Sequence, residues 1–208
     1  MQLINRQSLM RKLLLFFVLQ LISCGNSSEV KVENKRDYSK FHTEALTFCE
    51  TNNYETSYYF LVDLSQHSGT NRFFMYDFKQ KEITLENLVT HGTCDVFEVN
   101  ENSAEVAKFS NKNDSHCSSL GKYKIGKRDY SSWGINVKYW LHGLENSNAN
   151  AVKRVVVLHS WDAVANQEIF PKYSPNSWGC PAVSNQFMRI LDTKLQATEK
   201  PVLLWIIE

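Results

Sequence analysis

Val155-Val156-Val157-Leu158-His159-Ser160, followed further along by Ser177-Trp178-Gly179-Cys180-Pro181-Ala182, is the pair of segments on which the reading of this chain turns. The first is a short apolar, β-branched run, the pattern of a buried strand, and it carries His159 to its C-terminal end. In the second, Gly179 permits close backbone approach, while Pro181 has no N–H and a fixed φ. A cysteine between those two residues is not in an ordinary core setting. A thiol beside a histidine is expected to form a thiolate–imidazolium pair, because the cation stabilises the anion, and the thiolate is then competent to attack a carbonyl.

The chain has 208 residues, 43% of them apolar and 12% aromatic, enough for one domain with a sizeable core plus accessory segments. Its formal charge is +1, and Arg6, Arg11 and Lys12 lie among the first 23 residues, which contain no acidic residue. The remainder therefore carries −2, so no nucleic-acid partner is expected. Arg11-Lys12 and the apolar stretch 13–21 read as a targeting segment, too short to span a bilayer comfortably. Leu21-Ile22-Ser23-Cys24 resembles a bacterial lipobox, which implies export, cleavage before Cys24 and a lipid anchor on its sulfur. An ordinary secretory signal with a nearby cysteine is the alternative, and it too implies export.

The expected organisation is a signal segment over 1–23, a flexible polar tether over 24–37, a packing helix and connector over 38–56, and a catalytic domain over 57–208. Helical spacing of Phe41, Ala45, Leu46, Phe48 and Cys49 ends at Asn52-Asn53. Strands are predicted at 57–64, 72–78, 83–90, 122–125, 135–141, 155–158 and 202–207, with turns such as His67-Ser68-Gly69-Thr70-Asn71 and 129–134 between them. Ser184 is placed to cap a helix whose apolar face is Phe187, Ile190, Leu191 and Leu195. The fold class that follows is mixed α/β and β-rich, a mainly antiparallel sandwich or barrel with two or three flanking helices. In an exported chain Cys94 and Cys117 flank a loop-like stretch and are candidates to pair, leaving Cys49 buried in its helix, although spacing alone does not fix that connectivity.

The segments His159-Ser160 and Ser177–Ala182 resemble the active-site motif of the L,D-transpeptidase catalytic-domain family, cysteine enzymes that remodel bacterial peptidoglycan. His91-Gly92, Phe109-Ser110-Asn111, Ser118-Ser119-Leu120-Gly121 and Leu141-His142-Gly143-Leu144 resemble a subgroup of the same domains, so the resemblance runs from about residue 58 to the C-terminus. It implies Cys180 as nucleophile and His159 as base, with a backbone carbonyl near Ser160 orienting the imidazole and the amides of Gly179 and Cys180 forming an oxyanion hole. It further implies peptidoglycan stem peptides as partners. A thioester would form on release of the terminal D-alanine and be resolved by an amine, giving a crosslink, or by water, giving an L,D-carboxypeptidase.

His142, His91, Trp178 and Ser177 are the residues the resemblance places against substrate. Trp178 and Pro181-Ala182-Val183 stand where many relatives have polar or basic residues, which leaves the substrate carboxylate without an obvious partner. Lys153, Arg154 or Arg189 could replace it, although the simpler reading of each is a solvated charge. His42 and His67 read as exposed. His116-Cys117 with His91 and Cys94 offers zinc-type ligands, but adjacent ligands fit one tetrahedral ion poorly, so neither metal nor cofactor is expected. Two other classes fit the same residues: a non-catalytic peptidoglycan-binding envelope lipoprotein, and an unrelated exported cysteine hydrolase.

Overall fold

Two adjacent strands, β1 (Tyr58–Asp63) and β8 (Val202–Ile207), are buried at every position, which explains why both read as unbroken apolar runs rather than alternating ones. They pair in parallel, with Phe60 opposite Leu204 and Val62 opposite Ile206. Phe60, Val62, Leu204 and Ile206 enter one apolar cluster, while Tyr59, Leu61, Leu203, Trp205 and Ile207 enter another on the opposite face. Each face is covered by a different helix.

The computed structural model describes residues 36–94 and 106–208. The expected signal segment, Cys24, the tether up to residue 35 and part of the long loop after Cys94 lie outside the described residues. Helix α1 (Ser39–Thr51) covers the second cluster. Its Phe41 meets Trp205 edge-on at 5.2 Å, and His42 stacks on Tyr76 at 3.5 Å while its Nδ1 lies 2.8 Å from the Tyr59 hydroxyl. Asn52 ends the helix by returning its amide and its side-chain Nδ2 to the Phe48 carbonyl, and Asn53 turns the chain away at φ 59°. His42 is thus half-buried rather than exposed, as is His67, stacked 4.4 Å from Tyr173.

The remaining strands are β2 (Phe73–Asp77), β3 (Glu82–Asn87), β4 (Gly121–Tyr130), β5 (Val137–Gly143), β6 (Val157–Ser160) and β7 (Ala182–Val183). They form one eight-stranded sheet in the order β3-β2-β1-β8-β4-β5-β6-β7, antiparallel except for β1–β8 and β6–β7. The chain leaving β3 then meets the far edge: the Thr90 amide donates to the Ala182 carbonyl at 2.9 Å, and Gly92 bridges to Ser177. The sheet is therefore nearly closed, a mixed, β-rich architecture with two flanking helices. Helix α2 (Asn185–Gln196) packs Phe187, Met188, Leu191 and Leu195 against the first cluster. Ile190, expected on that face, is 38% exposed, and Met188 takes its place.

Three boundary differences from the sequence reading bear on the site. β4 runs on to Tyr130 through the residues expected to turn, with a register shift between Ile125 and Arg128. The extension is held by Arg128, whose Nε and Nη2 donate to Asp192 on α2 at 2.7 and 3.0 Å. β5 ends at Gly143, so His142 lies within the strand. β6 begins only at Val157, because Val155 adopts φ 57° and is 53% exposed in the turn before it.

A buried guanidinium anchors the closure. Arg72, just before β2, donates from Nε and Nη2 to the Val89 carbonyl at 2.9 and 2.7 Å, from Nη1 to the Gln66 carbonyl at 3.1 Å, and contacts His91 Nδ1 at 2.9 Å. Burial pulls its pKa down to about 9, against the attraction of Asp63, so it stays cationic at neutral pH.

Ser184 sits just before α2, accepting from the Phe187 amide at 3.1 Å and donating to Asn166 Oδ1 at 2.6 Å. Ser184→Ala is expected to lower stability by about 1 kcal/mol, read as a shift in the urea midpoint at unchanged slope.

Candidate active site

Cys180 lies in the bend between Ser177 and β7, and its sulfur rests against the start of β6. The Val157 amide donates to Sγ at 3.4 Å, and the thiol faces the Val155 carbonyl at 3.6 Å. The exposed, left-handed Val155 therefore has a place in the site: its turn directs a carbonyl at the thiol. Two residues beyond Val157 on the same strand, His159 pairs with Ala182 of β7. The Val157 amide thus seats the sulfur beside the strand that carries the imidazole, and among the described residues the thiol makes no hydrogen bond to the ring.

His159 Nδ1 lies 2.9 Å from the Ser160 carbonyl. A carbonyl only accepts, so the proton is on Nδ1 and Nε2 keeps its lone pair. Burial lowers the His159 pKa, opposed by the Ser160 carbonyl and reinforced by Lys138. Burial also raises the Cys180 thiol, against the Val157 amide and the charges of Arg154 and Lys138. Both shifts favour the neutral forms, thiol and imidazole, over the ion pair expected from the sequence. Desolvation is the largest cause at both groups.

The loop that carries Cys180 is pinned from several sides. The Ser177 hydroxyl donates to the Cys180 carbonyl at 2.6 Å and accepts from the Gly179 amide at 3.2 Å. Thr90 Oγ1 donates to the same Cys180 carbonyl at 3.0 Å and accepts from the Ala182 amide at 3.0 Å. Gly179 adopts φ +100°, and a Cβ there would lie 2.6 Å from the Cys117 carbonyl, so no other residue fits without displacing that backbone. The Gly179 amide, expected in an oxyanion hole, is thereby committed to Ser177. Among the described residues the Cys180 amide donates to no protein acceptor.

The other expected site residues separate into walls and supports. His142 projects from β5 over Gly126, whose lack of a side chain makes room for the ring, and its pKa is lowered by burial and by Lys124. Trp178 is 69% exposed, with its ring 5.0 Å from His116. His91 is buried, its ring turned to Arg72 and its carbonyl accepting from the Ser177 amide at 2.8 Å, and Ser177 is buried as well. These two hold the loop and do not face an open cleft. Cys94 and Cys117 form a disulfide, and Cys49 is buried in α1, its thiol pushed up to about 12 by burial. With both sulfurs bonded to each other, they are not available as metal ligands.

The sequence reading missed two supports. Arg154 is not a solvated charge: Nη1 donates to the Ser110 carbonyl at 2.9 Å, and Nη2 to the Cys117 carbonyl and Ser115 hydroxyl, clamping the 110–119 loop beside Gly179. Lys153 and Arg189 are exposed. Thr90, an unremarkable strand residue in sequence, bridges the sheet edges at the cysteine, and nothing short of the tertiary pairing reveals it. A separate open depression of about 300 Å³ lies between β4 and the end of α2, lined by Lys124, Gly126 and Pro201 among others, and contains none of the expected site residues.

Comparison with known proteins gives a family. A profile of the L,D-transpeptidase catalytic domain matches residues 32–204. No curated protein matches the chain. Among solved structures, the helical cell shape determining protein Pgp2 from Campylobacter jejuni aligns at 11% identity and TM-score 0.46, over 72% of this chain and 47% of that one. Bdellovibrio bacteriovorus Bd1075 aligns at 17% identity and TM-score 0.44, over 75% and 50%. An Enterococcus faecium L,D-transpeptidase mutant aligns at 12% identity and TM-score 0.42, over 73% and 50%. The chain spans about half the length of these proteins.

The electrostatics make a prediction about the free protein. Because the Cys180 pKa is raised, its thiolate fraction at any given pH is below that of an unstructured cysteine. Site-resolved mass spectrometry of iodoacetamide labelling should show the Cys180 rate still climbing at a pH where the same cysteine in urea has levelled off. Levelling off at or below the unfolded value would contradict the neutral resting pair.

Proposed function

The chain belongs to the L,D-transpeptidase catalytic domain family, and on that premise we propose that it is an exported cysteine L,D-transpeptidase acting on peptidoglycan stem peptides. The observation that carries the mechanism is the Cys180 sulfur seated on the Val157 amide of β6, the strand that carries His159, with Nδ1 of His159 turned to the Ser160 carbonyl and Nε2 left as the base.

In this reading substrate closes the site over a neutral pair. His159 Nε2 takes the thiol proton as Sγ attacks the carbonyl that precedes the terminal D-alanine. The tetrahedral oxyanion is met by the Cys180 amide, the donor its own loop leaves unused. Collapse breaks the peptide bond, and the proton on Nε2 passes to the departing amine, leaving a thioester on Cys180. An amine from a second stem, or water, then attacks that thioester; His159 accepts the attacking group's proton and returns it to the sulfur. A neutral resting pair is adequate for this, since the base needs only a free lone pair at the moment of attack.

Burial keeps the base neutral below the ordinary imidazole value of 6.5, which supports a general-base role over a wide pH range. The clamp of Arg154 and the disulfide hold the 110–119 loop against Gly179 and so keep the thiol fixed. The lipobox-like Leu21-Ile22-Ser23-Cys24 supports lipid anchoring in the cell envelope, facing the periplasm where two membranes are present.

Two experiments test this. Purified protein incubated with disaccharide tetrapeptide should yield products that have lost D-alanine, either crosslinked or hydrolysed, by mass spectrometry. Cys180→Ala should abolish them, with the rate falling at least 10³-fold, on the order expected for loss of a nucleophile. Unchanged tetrapeptide with the intact protein, together with wall binding that survives Cys180→Ala, would favour a binding protein instead. Separately, Cys24→Ser should move the protein from the membrane to the soluble fraction on cell fractionation.

A further inference from the structure

Lys138 and Trp140 read in sequence only as members of a strand, but the register gives them a particular neighbour. Val137, Tyr139 and Leu141 of β5 enter the core, so Lys138 and Trp140 project from the opposite face. On β6, Val156 and Leu158 enter the same core, which puts Val157 and His159 on that opposite face too. The pairing sets Trp140 against Val157 and Lys138 against His159. Directly paired residues on antiparallel strands have Cβ atoms about 4.5–5.5 Å apart. His159 therefore has the Cys180 sulfur along its own strand, beside Val157, and a lysine ammonium on the neighbouring one.

That lysine is held by an aromatic ring and makes no ion-pair contact among the described residues. Its Nζ lies 5.0 Å from the centre of the Trp140 ring. Trp140 is fixed in turn by Nε1, which donates to Asp129 Oδ2 at 3.0 Å. Asp129 stands opposite Lys138 on β4, and its Oδ1 accepts from the Tyr130 amide at 2.8 Å. The Asp129 carboxylate feels the Lys138 charge, but its hydrogen bonds go to Trp140 and the Tyr130 amide rather than to the ammonium. Lys138 is half-buried, and its charge reaches both members of the candidate pair, lowering the pKa of His159 and of Cys180.

We propose that Lys138, backed by the Trp140 ring, is the subsite for the α-carboxylate of the residue that leaves from the cut bond, so that the enzyme selects stem peptides ending there in a free acid. The proposal rests on the function argued above. The departing nitrogen has to face His159 to receive its proton, and in an α-amino acid the carboxylate carbon is ~2.5 Å from that nitrogen. The position beyond His159 is the one Lys138 occupies. The other cations considered for this contact do not compete: Arg154 is spent on the 110–119 loop, and Lys153 and Arg189 are exposed. A half-buried ammonium on an aromatic face gives a charge-assisted contact that water only partly screens.

The test compares a tetrapeptide ending in D-alanine with the same peptide ending in D-alanine amide, for the intact protein, Lys138→Met and Lys138→Arg. Intact protein should favour the acid in kcat/KM by about tenfold to a hundredfold, the range for one charge-assisted contact. Lys138→Met should erase that preference by losing rate on the acid and little on the amide, and Lys138→Arg should keep much of it. Equal rates on both peptides with intact protein, or equal losses on both in Lys138→Met, would overturn the subsite and leave the transpeptidase reading standing. Release from neither peptide by the intact protein would overturn both.

Discussion

The arrangement depends on how a sheet is closed at the cysteine. Thr90, just past β3, reaches the opposite edge with its amide on the Ala182 carbonyl and its hydroxyl between the Cys180 carbonyl and the Ala182 amide. Those bonds hold the two ends of an eight-stranded sheet together and fix the backbone that presents the thiol. The same contacts that satisfy the sheet edge hold Cys180 in place, so edge protection and positioning are one constraint. Arg72 stands behind it, gripping the Val89 carbonyl and the His91 ring with a guanidinium sealed from water. A buried cation of this kind gives little net stability, but losing it would leave carbonyls unpaired, and it fixes one path for the chain between β3 and β7.

Around that frame the site is built from supports more than from exposed reagents. Ser177 and His91 are turned inward, Arg154 grips a loop, and a disulfide closes the same region. The consequence is a thiol and an imidazole both shifted by burial toward their neutral forms. The half-buried face beside them carries Lys138, Trp140 and His142.

Much of this was legible from local pattern. Val202–Ile207 was bounded correctly because an unbroken apolar run after Pro201 has few other uses. The Ser184 cap was readable from its residue type and the apolar period that follows. Where reading failed, a long-range contact had overridden the local signal. Residues 129–130 look like a turn but continue β4, because Arg128 finds Asp192 on a helix more than sixty residues away. Val155 belongs by composition to a strand, yet it turns outward at φ 57°.

The sequence by itself determined most of the element types, the β-rich class and the candidate cysteine and histidine, because periodicity, capping and the Gly-Cys-Pro context are local properties of the chain. Which groups act together was decided by the tertiary structure alone. Register put Lys138 opposite His159, sheet closure put Thr90 on the cysteine's carbonyl, and burial shifted both titrating groups toward their neutral forms. Register, closure and desolvation each depend on segments distant in sequence meeting in space, and no spacing along one strand encodes them.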